Sequence, residues 1–370
     1  MADNERRNKL QESLKKFNKA HKSEVFTMGN EIEEIPVIPT GIIPIDTFIG
    51  GGFKKGGHTI VYGAYSIGKT ALILTAIANA QKNDMTVCYV NTEKPIEPSR
   101  FEFFGIDLNN LVYIEAPDHA EIALEALRTL TKDKVIDLFV IDSTNGLSPK
   151  AVQEDNKGNE RALDKNNVAA LPKALSEFYN AVNACVFKAR AAVVWIGQER
   201  MKGIGSYVAR NGLTGGNAQN FYAYQIIRMK KGERSNNPVA KVKHYTLDEN
   251  KKLRYKTENE EVGFSVILKL DKTNSSKSLK ENSIIEIPYV YNKGFVSEFI
   301  PEESFVIDGT DEEKIEIEKM LIEKGIITDT KEKVVKEFEE RTKEDIESEI
   351  NAKDVIEPPK KRGRKKKNDK

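Results

Sequence analysis

Apolar positions follow two periods along this chain. Between residues 58 and 197, short continuous apolar runs (HTIVYG, 58–63; TVCYV, 86–90; DLFVIDS, 137–143; AAVVWIG, 191–197) alternate with other stretches. In those stretches apolar residues recur every three or four positions (ALILTAIANA, 71–80; HAEIALEALRTL, 119–130; residues 164–190). The runs predict buried strands and the stretches predict helices. Buried strands separated by helices predict an α/β fold with a mainly parallel sheet flanked by helices on both faces. Downstream, NAQNFYAYQIIRMKK (217–231) begins helical and ends strand-like, and residues 240–298 read as strands separated by DENKK, DKTNSSKS and YNKG. They predict a β-meander added to the edge of the sheet.

The two ends read differently. Leu10, Leu14 and Phe17 give residues 4–20 the pattern of a helix with one narrow apolar stripe, which requires a partner surface. Residues 35–52 read as a loop-rich approach to the first long strand. Residues 311–350 alternate Glu and Lys with Ile and Val at helical intervals and predict two or three surface helices, ended by Pro358 and Pro359. The expected division is therefore residues 1–34 as a helix and linker, 35–298 as the α/β core, 299–356 as a small helical region and 357–370 as a disordered basic tail.

Composition narrows the class. With 39% hydrophobic and 31% charged residues in 370, the chain reads as soluble and globular. No apolar run approaches the roughly 18 residues of a membrane span, and the N-terminus lacks the apolar stretch of a secretory signal, so a cytoplasmic location is the default expectation. Cys88 and Cys185 lie in apolar or helical contexts without a CxxC pattern and read as buried small hydrophobes. The four histidines show no metal-ligand spacing, which sets zinc and Ser/His/Asp chemistry aside. The net charge of +1 conceals an asymmetry: residues 360–370 hold eight Lys or Arg and one Asp, so the tail carries +7 and the remainder −6. Such a tail binds polyanions, either as a general phosphate-binding arm or, through its RGR core, as an AT-hook-like minor-groove binder.

The chemistry centres on residues 63–70, GAYSIGKT, which fit the phosphate-loop pattern GxxxxGKT between a predicted strand and a predicted helix. Backbone amides of Gly63, Ala64, Tyr65, Ser66, Ile67 and Gly68 can curl round phosphates at the helix N-terminus, Lys69 can neutralise the β and γ oxygens, and the Thr70 hydroxyl can ligate magnesium. Three strand ends add candidates. Asp142, after DLFVI, can hold the magnesium, although an Asp there caps a helix as readily. Glu93, after TVCYVNT, is placed to act on the attacking water if its strand neighbours the phosphate-loop strand in the sheet, as expected. Gln198, after AAVVWIG, can sense the γ-phosphate through its amide.

These motifs resemble, in order and flanking sequence, the bacterial RecA and bacteriophage UvsX-type recombinases over about residues 7–298. The resemblance rests on IPTGIIPIDTFIGGGFKKGGHTIVYGAYSIGKT, YVNTEKPIEPSRFEFFGIDLNNL, IDSTNGLSPKA, and IGQERMK with TGGNAQNFYA. It implies a RecA-like P-loop ATPase core and an ATP- and Mg2+-dependent DNA recombinase. Such a protein forms helical filaments on single-stranded DNA, pairs it with homologous duplex in recombination and repair, and works with single-strand-binding and loader proteins.

The resemblance also implies roles. Glu93 would polarise water, and Gln198 would couple the γ-phosphate to a DNA-binding loop over 199–213 in which Arg200, Lys202, Arg210 and Tyr207 contact DNA. A shorter loop, about Gln153 to Arg161, would correspond to the family's first DNA-binding loop, and the N-terminal helix would pack on a neighbouring protomer. There are departures. Arg100 stands where the family has its adenine-stacking aromatic, so either its guanidinium stacks or the neighbouring ring of Phe101 takes over. The trans-subunit phosphate contact maps first to Lys272 and second to Lys277, with a plain solvated turn as the alternative. The acidic tail of the bacterial family is basic here. A RecA-like hexameric helicase and an ATP-switched accessory DNA-binding protein are the competing functions.

Overall fold

The computed structural model describes residues 2–21, 29, 34–153, 170–202, 210–213, 217–301 and 304–326. They divide into two compact units, one formed by the described residues of 1–239 and 261–301 and the other by those of 240–260 and 302–370.

The first unit begins with helix α1 (Ala2–His21), where Leu10 and Phe17 of the apolar stripe remain exposed. Strand β1 (Val37–Ile38), helix α2 (Ile43–Ile49) and strand β2 (Phe53–Lys54) follow, so the expected loop carries short elements of its own. Then come β3 (His58–Gly63), α3 (Lys69–Lys82), β4 (Val87–Asn91), α4 (Pro98–Phe103), β5 (Leu111–Glu115), α5 (Ala120–Lys132), β6 (Leu138–Asp142) and α6 (Lys150–Gln153). The chain continues through α7 (Ala170–Ala189), β7 (Ala192–Lys202), β8 (Arg210–Leu213), α8 (Asn217–Tyr222) and β9 (Ala223–Lys231). Two strands, β10 (Val239–Leu247) and β11 (Leu253–Glu261), lead to β12 (Gly263–Thr273), β13 (Ile284–Val290) and β14 (Gly294–Phe295), and the described chain ends with β15 (Ser304–Ile307) and α9 (Asp311–Glu323).

Ten strands form the main sheet in the order β14-β13-β12-β9-β3-β7-β6-β4-β5, with β8 paired to β7. From β9 to β5 every neighbouring pair is parallel; β12, β13 and β14 add an antiparallel edge. Successive residues of each central strand enter opposite cores. Val61, Val87, Tyr89, Val140, Val194 and Ile196 pack with α2 and α3, whereas Ile60, Cys88, Val90, Phe139, Val193 and Trp195 pack with α5 and α7. Burial on both faces is why these strands read as unbroken apolar runs rather than alternating ones.

Two expectations are corrected. β4 does not neighbour the phosphate-loop strand β3: β7 and β6 lie between them. Consecutive strands need not pair, and the two later strands, buried on both faces, occupy the middle, leaving the half-exposed β5 at the edge. The strands of 240–298 do not all extend the main sheet either. β10 and β11 form a separate three-stranded sheet with β15, in the order β11-β10-β15, so the boundary expected at 298/299 gives way to a second unit built from two chain segments.

That second unit has a small core. Tyr245, Ile317 and Leu321 form its buried cluster, with Leu247, Leu253 and Ile307 packed against them. Helix α9 starts at a Thr310/Glu313 capping box, which satisfies the orphan backbone donors of its first turn. On the sheet, His244 faces Asp308 through Nδ1 at 2.8 Å and Glu260 through Nε2. The basic tail and the helices expected beyond residue 326 lie outside the described residues.

Candidate nucleotide site

The phosphate loop joins β3 to α3, and its glycines are required by contact and by backbone. A Cβ at Gly63 would stand 2.2 Å from the carbonyl oxygen of Met229, and Gly68 caps α3 with φ +87°. Ile67 anchors the loop by burying its side chain. The Lys69 ammonium lies inside the loop and donates to the carbonyl oxygens of Ala64 (2.6 Å) and Gly63 (3.2 Å). Burial lowers its pKa, so it gains by meeting an anion.

The floor is a hydroxyl-lined carboxylate. Asp142 Oδ2 accepts from Thr70 Oγ1 at 2.8 Å and from Tyr89 OH at 2.7 Å. Burial pushes the Asp142 pKa up, and the two hydroxyls oppose that shift. Tyr89 was not anticipated as a site residue; it reads as one more apolar position of TVCYV, and only its pairing row beside Val140 brings its hydroxyl to Asp142.

Opposite lies a second carboxylate. Glu93 follows β4, and its Oε1 accepts from Ser143 Oγ at 2.6 Å and from Gln198 Nε2 at 2.8 Å. Gln198 is positioned by the β3–β7 register, which sets it against Gly63 of the phosphate loop, and its backbone N–H donates to Asn145 Oδ1 at 3.0 Å. The structure therefore brings Glu93 and Gln198 together although β6 separates β4 from β7.

These groups line a cleft of about 420 Å³ with Tyr65, Lys94, Arg100, Phe264 and Tyr289. Phe264 and Tyr289 stack at 4.9 Å between centroids, an aromatic wall that the sequence reading missed because both lie in the β-meander and carry no motif. Arg100 reaches the cleft with its guanidinium 5.0 Å from the Phe104 ring. The alternative of a shifted ring at Phe101 is corrected: Phe101 is buried edge-on between Tyr89 and Tyr113 and belongs to the core.

The expected DNA loop is framed by a hairpin, with Glu199 opposite Leu213 and Lys202 opposite Arg210. The backbones of Arg200, Lys202 and Arg210 thus flank its open end, whereas Tyr207 and Arg161 lie outside the described residues. Lys272 and Lys277 do not line the cleft. Lys272 Nζ donates to the carbonyl oxygens of Asn220 (2.7 Å) and Phe221 (3.1 Å), and Lys277 Nζ pairs with Glu34 at 2.7 Å.

Comparison with known proteins bears on this arrangement. The family model described as the RecA N-terminal domain matches residues 8–295. The chain is similar to Protein RecA of Nautilia profundicola, at 36% identity over 211 residues, covering 56% of this chain and 58% of that one. It is also similar to Protein RecA of Campylobacter lari, at 34% over 62% of this chain and 66% of that one, and of Campylobacter hominis, at 34% over 65% and 70%. The alignment thus spans 58% and 66% of the length of the first two relatives. A structure titled as that of the RadB recombinase aligns with 72% of this chain and 99% of its own at 18% identity, with a TM-score of 0.48.

Proposed function

The chain belongs to the RecA family, as shown by a domain match over most of its length, and from this premise we propose that it is an ATP-dependent recombinase that assembles on single-stranded DNA and promotes homologous pairing and strand exchange. The observation that carries the proposal is the double attachment of Gln198. Its side-chain amide lies in the cleft on Glu93, while its backbone belongs to β7, which runs on without a break into the hairpin at Lys202. A group in the cleft and a segment that could hold polynucleotide thus share one strand.

The donor set fits a nucleoside triphosphate with a divalent cation. The Lys69 ammonium and the α3 N-terminus supply positive charge beside the loop, and the Thr70 hydroxyl and Asp142 carboxylate supply hard oxygen ligands 2.8 Å apart. When bound, ATP supplies the phosphoanhydride bond that breaks. Glu93 would orient the attacking water and accept its proton, and the Gln198 amide would leave Glu93 for the γ-phosphate. Tyr65, Arg100 and the Phe264/Tyr289 wall would hold the base and sugar. Lys202, Arg200 and Arg210 would face DNA phosphates, and Lys272 or Lys277 would act across a filament contact only after leaving its present partner.

DNA-dependent ATPase and strand exchange, measured together, test this. Lys69→Ala should abolish nucleotide binding. Glu93→Gln should retain nucleotide-dependent filaments on single-stranded DNA while losing roughly 10²–10⁴-fold in hydrolysis. Absence of any nucleotide-dependent preference for single-stranded DNA in the wild type would overturn the proposal.

A further inference from the structure

Consecutive residues at the end of β7 point to opposite faces of the sheet. Gln198 faces the cleft, and Glu199 faces away from it. On that other face the registers align Gly197 of β7, Tyr62 of β3, Arg228 of β9 and Lys269 of β12 in one row. Gly197 brings no side chain to the row and Gly63 follows Tyr62 on β3. Glu199, two residues beyond Gly197 and on the same face, therefore reaches across the narrow end of β3 to pair with Arg228. Both partners are largely withdrawn from solvent, with side chains 9% and 16% exposed.

The row continues past this pair. The Arg228 guanidinium lies 5.9 Å from the centroid of the Tyr62 ring, Tyr62 OH donates to Asp271 Oδ2 at 2.5 Å, and Lys269 Nζ lies 3.1 Å from Asp271 Oδ1. Asp271 sits at the irregularity in β12 between Leu270 and Lys272, where a residue is re-aimed out of the regular ladder. Charges of alternating sign thus run from the root of the β7–β8 hairpin, where Glu199 pairs with Leu213, to the residue before Lys272.

We propose that the Glu199–Arg228 pair is a latch that transmits occupancy of the cleft to the hairpin, with Arg228 as its positioning residue. The proposal rests on the recombinase reading above. Gln198 and Glu199 are joined by one peptide, so a displacement of Gln198 towards bound nucleotide must either carry Glu199 with it or be opposed by Arg228. An ion pair so far withdrawn from solvent has few alternative arrangements, because separating it leaves a charge poorly compensated. The pair therefore gives the hairpin root discrete positions rather than a continuum, which is what coupling between two sites requires.

The test compares single-stranded oligonucleotide affinity with and without a non-hydrolysable ATP analogue, together with analogue affinity in the absence of DNA. The proteins are wild type, Glu199→Gln, Arg228→Met, Arg228→Lys and the charge-reversed double variant Glu199→Arg/Arg228→Glu, each checked for folding by circular dichroism. The wild type should show a large ratio of the two DNA affinities. In both neutralised variants that ratio should fall by about tenfold while DNA-free analogue binding stays close to wild type, and the double variant should recover most of it. A role confined to stability would instead lower all three measured affinities together, and that result overturns the latch. So does a wild-type ratio in the folded single variants, or a double variant no better than either single one. If Arg228→Met fails to fold, Arg228→Lys, which keeps the charge but loses the planar fork, decides by the same ratio. A wild-type ratio of one would sink the recombinase reading and the latch with it, whereas a normal wild-type ratio with insensitive variants sinks the latch alone.

Discussion

The two compact units are held together by different physics. In the first, β3, β4, β6 and residues 192–198 of β7 are buried throughout, and their apolar side chains divide between two cores on opposite faces of the sheet. In the second, a small cluster of Tyr245 on β10 with Ile317 and Leu321 on α9 is accompanied by an imidazole set among carboxylates from β11 and the residue after β15. Burying apolar area on two faces gives the cleft a rigid floor, on which Asp142, Glu93 and Gln198 hold contacts under 3 Å. A unit with a core that small opens locally at low cost.

The largest expected effect tests the first half of the comparison. Trp195 is fully buried in β7 and packs against Phe178 and Tyr179 of α7. Trp195→Ala should cost about 3–5 kcal/mol in denaturant unfolding and disorder the cleft, because the strand that carries Gln198 loses its main anchor. A loss below about 1 kcal/mol would break the claim that this core fixes the site.

A smaller and more local effect is expected from Leu321→Ala, at about 2–4 kcal/mol. Hydrogen exchange should show residues 311–323 losing protection while β3, β6 and β7 keep theirs. Equal loss in both places would show that the units unfold together.

The smallest effect depends on pH. Hydrogen bonds donated by its ring to Asp308 and Glu260 raise the pKa of His244 above its ordinary 6.5. The charged ring is the bonded form, so its contribution is complete below pH 6.5 and disappears as pH rises through the raised value. Protection of the β10–β15 pairing should therefore decline on the alkaline side of neutrality, and His244→Gln should remove the dependence. Protection independent of pH between 6 and 9 would mean that the ion pairs contribute nothing measurable, as is common for exposed charges.

Legible from the order of residues were the parts in which cause and effect lie close along the chain. The phosphate loop was legible because a strand, a glycine turn and a helix N-terminus must follow one another directly, and the buried strands were legible because burial on both faces leaves no polar alternation. Asp142, Glu93 and Gln198 could be named because each closely follows an apolar run, although Gln198 proves to lie within β7, which continues to Lys202. Their mutual geometry could not, since Glu93 meets Gln198 only once the sheet has set β7 one strand away from β4, across β6.

Tertiary structure alone decided whatever depends on pairing between distant segments. It made Tyr89 a partner of Asp142 and put Phe101 in the core, leaving Arg100 at the cleft; it brought Phe264 and Tyr289 there and took β10 and β11 out of the main sheet. The physical reason is that periodicity reports which face of an element is buried and says nothing about which element buries it. Strand order, and the side chains that meet across it, is settled by packing over the whole unit.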